Sequence, residues 1–173
     1  MYGFYCRVQP EKVDYKFNIT KVSDILDEEL INPTKRVAIC VTTNGVVKRD
    51  GKLVMGAGVA KQFRDRVDGI DTLLGMKVSK YGNHVYHVMR SKTRRGYEFD
   101  ILSFPTKHDY RDKADINLII QSAKRLVKWA DLNGVDEVYI PSPGTGLGGL
   151  DKDLVYKALD SVLDDRFYIV TRA

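Results

Sequence analysis

The stretch Val138-Tyr139-Ile140-Pro141-Ser142-Pro143-Gly144-Thr145-Gly146-Leu147-Gly148-Gly149-Leu150-Asp151 passes from strand through loop to helix start in one run. Val138 to Ile140 reads as a short buried strand, halted at Pro141, which has no N–H for a ladder. Gly144, Gly146, Gly148 and Gly149 crowd the loop. Asp151 or Asp153 then starts a helix whose Leu154, Val155, Ala158, Leu159 and Val162 face inward. A glycine-rich loop between the carboxyl end of a strand and the start of a helix gathers free backbone N–H groups, a setting that suits phosphate. The plainer reading is a turn that uses glycine only for its geometry.

The same alternation extends in both directions. Val37 to Thr43 is a continuous, β-branched run, as expected of a buried strand. A second glycine loop, Met55-Gly56-Ala57-Gly58-Val59-Ala60, opens a helix over 57–67 with Val59, Ala60, Phe63 and Val67 at helical spacing. By itself this loop is a weak signal, because it lacks the Lys-Ser/Thr ending of a P-loop and the full dinucleotide fingerprint. His84 to Met89 and Phe99 to Phe104 are expected as sequential strands joined by a basic turn at Thr93 to Gly96. The clearest helix follows, capped by Asp112 or Asp115 and stopped by Gly134. Its apolar stripe is Ile116, Ile119, Ile120, Ala123, Leu126, Val127 and Ala130. Phe167 to Thr171 closes the chain as a strand. Strands alternating with helices predict an α/β domain with a mostly parallel or mixed sheet, covered on both faces. In such a sheet the two glycine loops lie at equivalent strand ends, where they are placed to hold a diphosphate between them.

The 173 residues, 43% hydrophobic, suffice for one domain with one sizeable core. Twenty-eight Lys and Arg against 23 Asp and Glu leave a formal charge of +5. That balance favours anionic partners without choosing among them, and a solvated surface explains it equally well. Cys6 and Cys40 have no metal-ligand spacing, and with His84, His87 and His108 scattered no metal site is expected. Cys40 sits in an apolar run as a buried reduced thiol. No membrane span and no secretory leader are read, so a cytoplasmic protein is expected.

Taken in order, Val41-Thr42-Thr43-Asn44-Gly45, Met55-Gly56-Ala57-Gly58-Val59-Ala60 and Gly144-Thr145-Gly146-Leu147-Gly148-Gly149-Leu150-Asp151 resemble the pattern of the macro domain family. Phe17-Asn18-Ile19-Thr20-Lys21-Val22-Ser23-Asp24-Ile25 is similar to that family's opening strand and Gly-Asp-Ile signature, with Ser23 in place of Gly. The resemblance spans about residues 15 to 173 and leaves 1–14 as an N-terminal extension without an assigned role. It implies a single three-layer α/β/α domain with a mixed central sheet, no cofactor, and ADP-ribose or an ADP-ribosylated molecule as partner. Asp24 and the Ile25 amide would then meet the adenine amino group, although Asp24 also reads as a helix N-cap. Asn44 would bond the distal ribose hydroxyls, a task suited to a group with donor and acceptor, although Asn-Gly is also a common turn dipeptide. Gly56, Ala57, Gly58, Val59, Ser142, Gly144, Thr145, Gly146 and Leu147 would hold the diphosphate and distal ribose. Arg172 would stack on adenine, with Tyr168 a looser candidate.

Ser103-Phe104-Pro105-Thr106-Lys107-His108-Asp109-Tyr110-Arg111 resembles the Phe-Pro-Thr-Lys segment of the DNA ADP-ribosyl glycohydrolase antitoxins and of the terminal ADP-ribose protein glycohydrolase branch. The resemblance implies a catalytic Lys107. It would act at C1″ as a nucleophile on the opened sugar, given burial that disfavours its charged form, or as a cation stabilising developing charge. The protein-deglycosylating branch carries an acid in the second glycine loop, where this chain has Gly148. Asp151 reads as a helix cap rather than its substitute, and alternation turns His108 away from Lys107. Three activities share such a pocket: removal of ADP-ribose from DNA or protein, dephosphorylation of ADP-ribose 1″-phosphate, and binding of ADP-ribose or an NAD-derived metabolite without chemistry. Lys92, Arg94 and Arg95 would aid the approach of nucleic acid, or form a solvated turn.

Overall fold

Strand β2 (Val37–Thr43) is the element around which the sheet assembles. The computed structural model describes residues 14–172, so almost all of the extension expected over 1–14, Cys6 included, lies outside them. Around β2 stand β1 (Asn18–Val22), β3 (His87–Lys92), β4 (Glu98–Pro105), β5 (Glu137–Pro141) and β6 (Phe167–Arg172). Their order is β1-β6-β5-β2-β4-β3. Every neighbouring pair is parallel except β3 with β4, which form the expected antiparallel hairpin. The sheet is therefore mixed, and five of its six strands point their carboxyl ends to one side.

The β2 side chains explain why the sheet must be covered twice. Ala38 and Cys40 join a core built with α3 (Ile116–Asn133) and α4 (Lys152–Asp160). Val37, Ile39 and Val41 enter a second core with α1 (Gly58–Arg66) and α2 (Ile70–Tyr81). Because side chains alternate across a strand, an unbroken apolar run supplies both faces at once. The result is the three-layer α/β/α arrangement. Burial raises the Cys40 thiol well above its ordinary value, which suits an inert core residue.

Of the alternative caps, Asp115 serves α3, accepting the Asn117 N–H at 2.9 Å, and Asp151 serves α4. Gly134 closes α3 in the left-handed region at φ 60°. At the far end of the sheet the buried Asp100 receives Arg36 Nε at 3.0 Å and His87 Nε2 at 2.8 Å. Burial alone would raise its carboxyl, but those two partners outweigh it and hold the group below the usual carboxylate range.

Helix α2 is the element that the sequence pattern does not announce. Only Ile70, Leu74 and Gly75 of it are buried, so it has no continuous apolar stripe. It docks through its backbone instead: Leu53 N–H donates to Asp71 O at 2.9 Å, and Gly75 lies against the Gly51 carbonyl. A Cβ on Gly75 would stand 1.9 Å from that oxygen. Gly75→Ala should therefore force the helix off the 48–53 turn and cost about 1–3 kcal/mol, as overpacking does. Urea unfolding of the two proteins checks it, with an unchanged midpoint counting against the contact.

Candidate functional site

The carboxyl ends of β2 and β4 are tied together by backbone. Thr43 O accepts the Thr106 N–H at 3.0 Å and the Lys107 N–H at 3.4 Å, and the Gly45 N–H returns to His108 O at 3.1 Å. Asn44, buried beside this junction, donates Nδ2 to Val54 O at 2.9 Å and accepts the Val46 N–H on Oδ1 at 3.0 Å. It thus pulls Val54, two residues before Gly56, against the end of β2. From the loop after α2, Asn83 Nδ2 donates to Lys107 O at 2.9 Å. Asn83 also packs on Gly45, where a Cβ would lie 3.0 Å from its Nδ2. Its Oδ1 is buried without a partner among the described residues.

The second glycine loop leaves β5 beside β6, with the Ser142 N–H on Val170 O at 2.9 Å. Ser142 Oγ meets Thr145 Oγ1 at 2.6 Å and Tyr156 Oη at 2.8 Å, fixing the loop on α4. Its glycines divide into two kinds. Gly144, at φ +71°, and Gly148 are held by steric fit: a Cβ on Gly144 would be 2.7 Å from Ile119 Cδ1, and one on Gly148 2.7 Å from Gly144 Cα and O. At Gly146, and at Gly56 in the first loop, a Cβ would meet nothing within 4 Å. No packing demand accounts for those two. They leave room for something to approach the backbone.

Between the two loops opens a cleft of about 1360 Å³. Asn44, Gly56, Ala57, Gly58, Val59, Lys107, Ser142, Gly144, Thr145, Gly146, Leu147 and Arg172 all line it, which brings together every sequence-derived site residue except three. The exceptions are Asp24, Ile25 and the looser candidate Tyr168. Asp24 accepts the Leu26 N–H at 3.0 Å and forms an ion pair with Arg66, while Ile25 is packed in the α1/α2 core. The cap of the short 3-10 turn Glu28–Leu30 is Asp27, not Asp24. Tyr168 is also outside the cleft, stacked on Tyr139 at 4.8 Å between ring centroids. His108 turns away from Lys107, as its alternation predicts. It pairs with Asp115 at 2.9 Å in a separate depression of about 340 Å³.

Lys107 crosses the cleft. Its Nζ lies 3.5 Å from Tyr110 O and 3.4 Å from Leu147 O, bridging the segment after β4 and the glycine loop. Among the described residues lining the cleft, Asp112 is the one carboxylate; Arg111, Lys113, Lys152 and Arg172 add positive charge to Lys107. Arg111 is already paired, with Nε and Nη2 on the two oxygens of Asp109 at 2.9 and 2.6 Å. That bidentate bond lowers the Asp109 carboxyl to about 2. Among the described residues no cluster of three or more His, Cys, Asp or Glu side chains is placed to hold a metal. The geometry can cradle an extended anion along two backbone loops, with a primary amine at one end and one carboxylate on the wall.

Sequence reading missed Asn83, Tyr110, Lys113 and Lys152. Tyr110 belongs to the segment quoted for its lysine, so proximity was a usable signal. The Asn83 contact joins loops far apart in the chain and leaves no local signature.

No family model matches the sequence, and a search of curated proteins finds no match. Solved structures do match. The macrodomain of Mycobacterium tuberculosis DarG is 21% identical with a TM-score of 0.68, over 91% of this chain and all of the other. The macrodomain of Thermus aquaticus DarG is 23% identical with a TM-score of 0.65, over 91% of this chain and 98% of the other. Thermosipho africanus DarTG, in complex with ADP-ribose, is 19% identical with a TM-score of 0.67, over 81% of this chain. This chain spans 42% of that protein's length. The fold is thus that of a macrodomain, and its solved structural neighbours include those of DarG.

Asn83→Ala removes the partner of a carbonyl at the root of Lys107, and should lower stability by about 1–2 kcal/mol. Chemical denaturation measures this; a neutral result would mean that water replaces the amide without loss.

Proposed function

We propose that this chain, a single macrodomain over 15–173, binds ADP-ribose and removes it from a modified macromolecule, DNA or protein, in the cytoplasm. The observation that carries the reading is Lys107 Nζ held across the cleft between Tyr110 O, in the segment after β4, and Leu147 O, in the second glycine loop. Thermosipho africanus DarTG shares the fold and holds ADP-ribose. Backbone N–H groups of 56–59 and 144–147 take the diphosphate, and the open space at Gly56 and Gly146 suits its close approach. Asn44 stands where the distal ribose would lie, with one N–H and one lone pair beyond those its loop uses. Arg172, which also lines the cleft, stacks on adenine. Asp24, whose two oxygens already take the Leu26 N–H and Arg66, receives the adenine amino group on a remaining lone pair.

In this reading the amine of Lys107 adds to C1″ of the opened sugar and the acceptor leaves with a proton. Water then hydrolyses the resulting imine, freeing ADP-ribose and restoring the lysine. As a cation, the same group would instead stabilise the acceptor's departure while water attacks C1″. At 148 a side chain would need the loop to shift, since its Cβ would stand 2.7 Å from Gly144 Cα and O.

Calorimetry with ADP-ribose tests the binding half, and absence of heat at millimolar ligand overturns it. Gly146→Ala should keep the wild-type melting temperature and weaken ADP-ribose at least tenfold. Incubation with ADP-ribosylated DNA, ADP-ribosylated protein and ADP-ribose 1″-phosphate then separates the activities. Lys107→Ala should abolish release from the macromolecule; unchanged turnover sinks the lysine mechanism. Release of phosphate alone points to a phosphatase, and tight binding without any product to a reader module. Asp24→Ala should weaken ADP-ribose and spare ribose 5-phosphate, whereas equal loss of both marks Asp24 as structural.

A further inference from the structure

Lys107 reaches the cleft on a flexible four-carbon stem, and both contacts of its Nζ are long, at 3.5 and 3.4 Å. Its precision must therefore come from the main chain that carries it. That main chain opens the loop 107–114, which leaves β4 and returns to the start of α3. The loop also supplies Tyr110 O, one of the two carbonyls that hold the amine. Where the loop sits thus decides where both ends of Lys107 sit.

The neck of this loop is closed by residue 115. Asp115 N–H donates to Thr106 O at 2.9 Å. Its side chain is divided: Oδ1 accepts the Asn117 N–H as the cap of α3, and Oδ2 faces His108 Nε2 at 2.9 Å. The His108 bond is the first cause of an Asp115 carboxyl held below its ordinary range. His108 in turn is fixed through its carbonyl, which accepts the Gly45 N–H at 3.1 Å. With the imidazole tied to α3 on one side, alternation sends the neighbouring Lys107 to the other, into the cleft.

His108 and Asp115 lie outside the cleft, in the separate depression with Gln121 and Lys124, so neither touches what the cleft holds. Their side chains are 65% and 37% exposed, and an exposed ion pair adds little to stability. Geometry is where such a bond counts, because a shift of about 1 Å at a reacting group costs about a hundredfold in rate.

Resting on the lysine reading above, we infer that His108 and Asp115 are a positioning pair: the bond from the imidazole to the capped start of α3 holds the 107–114 loop, and so aims the Lys107 amine at C1″ of the distal ribose. The pair takes no part in holding ADP-ribose and does not touch the reacting atoms.

Reductive trapping tests this on the full chain without need of turnover. Free ADP-ribose opens at C1″ to an aldehyde, to which the Lys107 amine adds with loss of water. Cyanoborohydride then delivers hydride to the protonated imine, leaving a stable secondary amine. Peptide mass spectrometry reads the rate of adduct formation at Lys107, and calorimetry reads ADP-ribose binding beside it. His108→Ala should slow trapping about tenfold, bind ADP-ribose as wild type does, and shift the melting temperature by no more than about 3 °C. His108→Gln, whose amide N–H can reach Asp115 in place of the imidazole, should restore most of the rate. Trapping at the wild-type rate in His108→Ala overturns the pair. So does a loss of rate matched by an equal loss of binding, which marks a structural bond, and so does a slow His108→Gln. A wild type that binds ADP-ribose but gains no adduct at Lys107 fails the lysine reading, and the pair falls with it. A wild type that binds nothing fails the ADP-ribose reading itself.

Discussion

The hydrogen bonds that join the end of β2 to the end of β4 set the position of everything functional in this molecule. Thr43 O receives two N–H groups from the Thr106–Lys107 peptide pair, and Gly45 N–H answers by reaching His108 O. These are ladder bonds continued past the sheet, and they carry the parallel register of β2 and β4 into the loops. Asn44 adds the first glycine loop to the same point through Val54, and Asn83 braces it from behind. Lys107, anchored at its backbone, is then long enough to reach the second glycine loop at Leu147 O. A rigid sheet edge thus delivers side chains from three separate loops to one cleft, which is how α/β proteins generally build sites.

Much of this was readable from the chain because the decisive elements are locally consistent. β2 matches its apolar run residue for residue, since both of its faces are buried and its only polar residues, Thr42 and Thr43, fall at its end. α3 has a full stripe, an aspartate cap and a glycine stop, so three local signals agree. α2 has only the glycine stop, at Gly82. Its attachment is a backbone contact at Gly75 that depends on a turn some twenty-four residues away in sequence, a tertiary fact with no periodic trace. β3 begins at His87 rather than His84, and its register slips between His87 and Met89, an irregularity invisible to alternation alone.

The site divides along the same line. The glycine loops announced themselves, but composition cannot tell a glycine required by packing, such as Gly144, from one that faces open space, such as Gly146. Lys107 was marked by its neighbours in sequence and by the family resemblance, whereas Tyr110 beside it gained meaning only from its carbonyl, which receives the lysine amine. Asp24 shows the converse. The sequence offered it as a ligand contact or a cap, and the structure gives its oxygens to a local turn and to Arg66.

Gly148 also bears on how such sites can diverge. A Cβ there would stand 2.7 Å from Gly144 Cα and O and 2.9 Å from Ala114 Cβ, so a side chain would press mainly on backbone. A larger residue there would require the loop backbone to move, with Gly144 and Ala114 giving way together. Position 148 is therefore coupled to 144 and 114, and a change at any one of the three is felt by the other two.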